Sequence, residues 1–196
     1  LMGYFRFASG YRPGGPNGSA AVRNLPHTFD ADTTLNYEIG VKGDAVGGQL
    51  TFDMSVYHID WQKVQVRLLD EARQLSYFTN GGEARSNGFE ASVQYRTRQG
   101  LRVNANGSYN DARYSQTPPA GSGAGKGDRL PFSPKFSGNL SIDQDIGLGS
   151  GWTPSLGATL VYVSGRWGEF ARRPENIRVE WPGFVRLDLR ASVRTD

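Results

Sequence analysis

Eight times along this chain, apolar and polar residues alternate with a period of two, and helical spacing is nowhere sustained. In the first segment Phe5, Phe7 and Tyr11 alternate with Arg6, Ala8 and Arg12. Residues 33–43 give the cleanest case, with Leu35, Tyr37, Ile39 and Val41 on one face and Asn36, Glu38, Gly40 and Lys42 on the other. The third segment, residues 49–61, starts with Leu50, Phe52, Met54 and Val56 in phase and then slips to Tyr57, Ile59 and Trp61. That slip predicts a β-bulge, with the strand continuing into residues 64–69. Residues 77–98 set Phe89, Ala91, Val93 and Tyr95 against Glu90, Ser92, Gln94 and Arg96, and residues 101–114 set Leu101, Val103, Ala105 and Tyr109 against Arg102, Asn104, Asn106 and Ser108. Phe136, Leu140 and Ile142 mark the sixth segment. Leu156, Leu160 and Tyr162 mark a weaker seventh, with Val161 and Val163 on its polar side, and Val185, Leu187, Leu189 and Ala191 mark the eighth. Strands with one apolar face explain why only 37% of 196 residues are hydrophobic while 12% are aromatic, alongside 26 glycines and 10 prolines. With no cysteine there is no disulfide framework, thiolate metal site or cysteine nucleophile, and two histidines, His27 and His58, leave little for a histidine metal site.

The links between segments alternate strictly in length. Residues 44–48, 97–100 and 147–151 are short turns. The stretches 13–32, around 70–74, 115–134 and 167–182 are long links. All short links therefore fall on one edge of an antiparallel meander, the pattern of an outer-membrane barrel with short periplasmic turns and long extracellular loops. A soluble barrel or sandwich also alternates. Its polar face is usually charged or Lys-rich, however, whereas here that face mixes Asn, Ser, Gln, Gly, Arg and Glu, which suits a wet or plugged lumen. Aromatics near the segment ends (Tyr11, Trp61, Tyr95, Tyr109, Trp152, Tyr162) fit an interfacial girdle. No run of about 18 apolar residues exists, which excludes a transmembrane helix but not a membrane barrel. A net charge of +3 without any basic run argues against nucleic acid as a partner. The chain opens at Leu1 directly in strand-like sequence, as a piece of something longer would.

Several strings, in order through nearly the whole chain, resemble the C-terminal half of TonB-dependent outer-membrane receptors. They are Ala8-Ser9-Gly10-Tyr11-Arg12-Pro13, Asn36-Tyr37-Glu38-Ile39-Gly40-Val41, Tyr57-His58-Ile59-Asp60-Trp61, Asn80-Gly81-Gly82-Glu83-Ala84, Gly88-Phe89-Glu90, Tyr109-Asn110-Asp111-Ala112-Arg113 and Leu130-Pro131-Phe132-Ser133-Pro134. The resemblance implies an all-β fold in which about eight antiparallel strands form an arc of a roughly 22-stranded transmembrane β-barrel. It implies a location in the cell outer membrane and no catalytic activity. The plug domain, the TonB-contacting segment, the strands before Leu1 and the final hairpin would lie outside this chain. The implied activity is uptake of a scarce ligand, a ferric siderophore above all, bound at extracellular loops and imported with TonB energy; cobalamin or an oligosaccharide stays open. The competing class is a small self-contained eight-strand outer-membrane barrel with an adhesive or structural role.

Two carboxylates, Glu38 and Glu90, lie on the polar face in adjacent up- and down-running regions. In the resembled family, glutamates at these motif positions face the plug and pair with its arginines, a strong contact once screened from water. The bland alternative is a solvated acid, or a pair with a barrel arginine such as Arg96. Ligand candidates are Tyr11 and Arg12 at the rim, and Trp167, Phe170, Arg172, Arg173, Arg178 and Trp181 in one long loop. Aromatics with arginines suit an anionic or aromatic chelate, and the same arginines also suit lipopolysaccharide phosphates at the lipid surface. Three resemblances carry no chemistry. Residues 123–128 mimic a phosphate loop, but Ala120 stands at the first required glycine and Gly127 at the Mg²⁺-binding hydroxyl. Asn17-Gly18-Ser19 and Asn106-Gly107-Ser108 fit a glycosylation acceptor incidentally. His58 and Asp60 share one strand with no nucleophile elbow anywhere. No catalytic residue, metal ligand or cofactor site is predicted.

Overall fold

The computed structural model describes residues 1–18, 24–147, 151–170 and 178–195. Eight long strands carry the fold: β1 (Met2–Arg12), β2 (Asp32–Ala45), β3 (Leu50–Gln62), β4 (Ala84–Arg96), β5 (Leu101–Tyr114), β6 (Phe136–Asp145), β7 (Trp152–Val163) and β8 (Phe184–Thr195). They form one antiparallel sheet in chain order, each strand paired with its sequence neighbours. β1 and β8 do not pair with each other, so among the described residues the sheet stays open at both edges. A self-contained eight-strand barrel would need that pairing. One face is concave and polar, lined from Tyr4 and Arg6 on β1 across Ser55, Ser92 and Asn106 to Val161 on β7. The opposite face carries the apolar rows, for example Phe52, Val93, Ala105, Leu140, Leu160 and Leu187.

The predicted bulge in β3 is absent. Its register against β2 runs without a break from Thr33↔Gln62 to Ala45↔Leu50, and against β4 from Leu50↔Tyr95 to Trp61↔Ala84. The slip in hydrophobic phase is a change of surroundings instead. Below Val56 the apolar side chains of β3 face outward; above it the outward positions are His58 and Asp60, while Tyr57, Ile59 and Trp61 face inward. The outer face thus leaves its apolar band, and the inner face gains a core of its own. That band ends in paired rings, Phe7 against Tyr37 at 5.2 Å and Tyr109 against Phe136 at 5.0 Å between centroids. Tyr11, Tyr95, Tyr109, Trp152 and Tyr162 stand on the outer face as a girdle requires. Trp61 does not, because its register with Ala84 turns it inward.

Nor does β3 run on into residues 64–69. Lys63 adopts φ 52°, a left-handed conformation that ends a strand, and Gln65–Asp70 pairs instead with Leu75–Asn80 as a separate hairpin above the sheet. Three amide side chains sew this hairpin to the first loop, residues 13–31. Asn17 Nδ2 donates to the Pro26 and Phe78 carbonyls at 3.0 and 2.8 Å, and its Oδ1 accepts from Phe78 N–H at 2.7 Å. Asn80 Nδ2 donates to the Asp30 and Lys63 carbonyls, both at 2.9 Å, and its Oδ1 accepts from Asp30 N–H at 2.6 Å. Gln65 Nε2 reaches the Pro13 and Asp30 carbonyls at 3.0 and 2.9 Å. Loop backbone that no ladder satisfies is thereby paired. Two further ribbons, Gly15–Pro16 with Thr28–Phe29 and Arg166–Trp167 with Glu180–Trp181, complete the loop layer.

Candidate functional site: the inner wall and its rim

Glu38 and Glu90 both project from the concave face, on β2 and β4. They are not on adjacent strands: β3 lies between them, and both their strands run the same way. Their surroundings differ sharply. Glu38 is 8% exposed, ion-paired with Arg6 directly opposite on β1, and accepts a hydrogen bond from Tyr4 Oη at 3.0 Å. Its partner is therefore Arg6 and not Arg96, which sits at the short-turn end of β4 opposite Arg102. Glu90 is exposed and makes no hydrogen bond or ion pair among the described residues.

Two glycines in the quoted strings have a packing reason. A Cβ on Gly40 would stand 2.4 Å from the Tyr4 ring, and one on Gly88 would stand 2.1 Å from the Tyr57 ring. Each glycine leaves room for a tyrosine from the neighbouring strand to lie flat along the wall, and Tyr4 so placed brings its hydroxyl to Glu38. At the short-turn end of the same face, Arg102 holds Asp145 with two hydrogen bonds of 2.6 and 2.9 Å, and Arg190 holds Asp143 at 2.8 Å. Bidentate pairing of this kind is both strong and directional. Between these charged ends runs a neutral stretch in which Ser108 and Ser137 share a hydrogen bond at 2.8 Å and Asn106 donates to Asn139 at 3.2 Å.

At the long-loop end the inner face becomes apolar. Trp61, Ala84 and Tyr114 fall in one cross-strand row. With Val64 they anchor a core onto which Val66, Ala124, Leu130 and Phe170 pack. Arg12 lies on this inner side, bonded to Asp32 at 2.5 Å with its guanidinium 5.8 Å from the Trp61 ring centroid. Tyr11, its neighbour, points the other way and is 77% exposed on the outer face beside Phe7, which removes it from the set facing the lumen. Trp167 pairs with Glu180 in its ribbon and accepts the Phe132 N–H at 2.7 Å through its carbonyl. Arg178 caps the cluster, 3.9 Å from the Phe170 ring centroid and 5.8 Å from that of Trp167, and donates to the Arg129 and Gly168 carbonyls at 3.0 and 2.9 Å. Burial pulls its pKa below the usual arginine value. Trp181 is exposed, edge-on to Phe132 at 5.9 Å, with Arg166 at 5.3 Å. Arg172 and Arg173 lie outside the described residues.

A known family, described as TonB dependent receptor-like, beta-barrel, matches residues 1–196 of this chain. The chain belongs to the TonB-dependent receptor β-barrel family. Among curated relatives, the metal-pseudopaline receptor CntO of Pseudomonas aeruginosa is 28% identical over 185 residues, covering 94% of this chain and 24% of the relative. The ferrioxamine B receptor of Salmonella typhimurium is 29% identical over 131 residues, 66% of this chain and 17% of the relative. The chain spans about a quarter of the length of the first of these relatives. The fold is shared with BauA, the ferric preacinetobactin receptor from Acinetobacter baumannii, at TM-score 0.73 and 23% identity over 99% of this chain and 27% of that one.

Within this TonB-dependent receptor wall, sequence reasoning missed Arg6, Tyr4, Arg102, Asp143, Asp145 and Arg190. Arg6 and Arg102 lie on predicted polar faces and the other four continue the same alternation, so the signal was present. What was missing was the cross-strand register that decides which acid meets which base.

Proposed function

We propose that this chain is part of the wall of an outer-membrane receptor that binds a scarce metal chelate, most specifically a ferric siderophore, and imports it with TonB energy. The observation that carries the reading is the aromatic and guanidinium cluster at the inner rim, above a concave polar wall. Arg12, Trp167 and Trp181, with Arg166 and Arg178 beside the two indole rings, supply cationic and ring surfaces for an anionic or aromatic chelate. A receptor for metal-pseudopaline and one for ferrioxamine B among the relatives support a metal-chelate ligand. A polar inner wall and two open sheet edges support a plug and further strands elsewhere in the protein, the plug segment being what TonB contacts. The reading includes no catalytic step.

Within it, Glu38 and Glu90 divide the work. Glu38, bound by Arg6 and Tyr4, holds the wall; Glu90, exposed on the same face, takes a cation from the plug. In the full-length receptor, Glu90→Gln is expected to change chelate uptake while leaving chelate binding intact, and Trp167→Ala to weaken binding itself. Unchanged uptake in the Glu38→Gln plus Glu90→Gln double variant would sink the plug role, and unchanged binding in Trp167→Ala would remove the rim from the ligand site.

A further inference from the structure

Resting on the reading that this wall encloses a plug, a contrast between two halves of the concave face points to the route a chelate takes past it. On β1 to β4 that face carries Arg6, Glu38, Asp53 and Glu90. Arg6 and Glu38 satisfy each other. Among the described residues, however, Glu90 has no partner, and exposed Asp53 has only the Tyr4 hydroxyl, at 3.4 Å. The cross-strand rows let the two halves be compared at equal depth. Asp53, Ser92, Asn106 and Asn139 stand in one row, and Ser55, Glu90, Ser108 and Ser137 in the next. From β5 to β7 these rows hold only amides, hydroxyls and, where β7 breaks its alternation, Val161 and Val163; none is charged. The neutral half also pairs its polar groups internally. Asn106 donates to Asn139 at 3.2 Å, Ser108 and Ser137 share a bond at 2.8 Å, and Thr159 donates to Ser141 at 3.1 Å. At the short-turn end it runs onto two closed ion pairs, Arg102 with Asp145 and Arg190 with Asp143. Arg190 donates further to Thr159 and Ser141, at 2.6 and 2.9 Å. Charges so engaged have little left to hold anything else.

We infer that the plug is held on β1 to β4 and parts from β5 to β7, and that the chelate passes along the inner face of these last three strands. A ligand in transit needs surroundings that bind it weakly enough to let it leave. Amides and hydroxyls paired with one another, beside two valines, meet that need. The unpaired carboxylates of Asp53 and Glu90 do the opposite, since each can take a charge-assisted hydrogen bond from a facing cation and keep it. Three strands spaced about 4.8 Å apart make a strip about 14 Å wide, the scale of a small chelate and not of a folded domain. Arg186 and Asp188, paired at 3.0 Å on β8, mark its far border.

The test uses the full-length receptor in its membrane. This chain has no cysteine, so Asn139→Cys on β6 and Ser92→Cys on β4, which share one row, report on the two halves at equal depth. Their labelling by a sulfonated maleimide is timed, with the unsubstituted receptor as background. N139C is expected to react about tenfold faster than S92C, the equivalent of one charge-assisted hydrogen bond made on one side only. High salt, which weakens charge pairs, is expected to speed S92C and leave N139C unchanged. Equal rates, or faster labelling of S92C, overturn the inference. In iron-starved cells, uptake of ferrioxamine B and ferric preacinetobactin, chelates named for receptors similar to this chain, supplies the second reading. Asn139→Trp is expected to slow uptake several-fold more than Ser92→Trp, with chelate binding unchanged in both, and equal slowing counts against the route. If N139W does not fold, as judged by heat-modifiable migration, the labelling rates decide. The wild type keeps the two proposals apart. Absent uptake with N139C still the faster falls on the transport reading alone, and normal uptake with equal labelling falls on the route alone.

Discussion

The middle of the wall and its long-loop rim are built from the same strands with the polarity of their two faces exchanged. At mid-wall, Ala105, Leu140 and Val93 face outward and Asn106, Asn139 and Ser92 face inward. Toward the rim, outward positions become His58, Asp60, Arg85 and Arg113, and inward positions become Trp61, Ala84 and Tyr114. Nothing in the backbone changes between the two, for the ladders stay in register throughout. What changes is the solvent. Hydrocarbon on one side demands apolar side chains there and leaves the other side polar. Where the strands rise out of it, water takes the outer face, and the loops folded over the inner face provide the only place where apolar groups can be buried. The lesson is that alternation reports which side is wet, strand by strand and level by level.

Three measurements on the full-length receptor sharpen or break this contrast. The largest effect is expected at the rim, where Tyr114→Ala removes a buried ring from the loop core. A local loss of about 3–5 kcal/mol should appear as rapid proteolysis of residues 63–83 and 115–135 with the wall intact. If the wall unfolds along with the loops, rim and wall are one cooperative unit and the contrast is only geometric. Next comes the wall itself, tested by neighbouring residues of β5 on opposite faces. Ala105→Arg should destabilise the receptor in lipid vesicles by about 2–4 kcal/mol, and Asn106→Arg by far less. Equal costs in denaturant unfolding would mean that both faces see the same medium. The smallest effect belongs to the hairpin tip. The Arg73 guanidinium, bonded to Asp70 at 2.6 Å, holds the Asp70 carboxyl below the usual carboxylate value. A depressed folded-state pKa stabilises above the unfolded value and is lost as pH falls through the folded one. Protection at residues 70–74, measured against the intrinsic exchange rate at each pH, should therefore fall on acidification below about pH 4, while the wall strands stay protected; a tip whose protection is indifferent to pH would show that this exposed pair does not order it.

Much of the fold was legible because period-two alternation, repeated eight times, is a redundant signal, and link lengths order the strands without any long-range information. The faces of β2, β4, β5 and β8 could be read directly. Residues 57–61 could not, since a bulge and a change of solvent produce the same phase slip in one strand. Only the unbroken partners on β2 and β4 separate them. The break at Lys63 was hidden because a lysine gives no warning of a positive φ, as glycine or asparagine would. For the candidate site, sequence placed Glu38 and Glu90 on the correct face but could not tell them apart. The difference lies in a tyrosine and an arginine on β1, more than thirty residues upstream of Glu38. Tyr11 and Arg12 were paired as rim ligands by proximity in sequence, and adjacency in a strand is what sends them to opposite sides.

The stitches between the first loop and the 65–80 hairpin have a consequence for the setting in which such a rim operates. Asn17, Gln65 and Asn80 carry no charge and do not titrate, and each bonds to main-chain groups. Ionic strength and acidity therefore have no direct hold on these stitches, whereas they do act on the Asp70–Arg73 pair at the hairpin tip and the Arg12–Asp32 pair beside Gln65. The other half of the rim is fastened by the Arg178 guanidinium over aromatic rings. Its electrostatic part feels salt, so brine and fresh water would leave the amide stitches unmoved and adjust the grip of Arg178 and of the ion pairs.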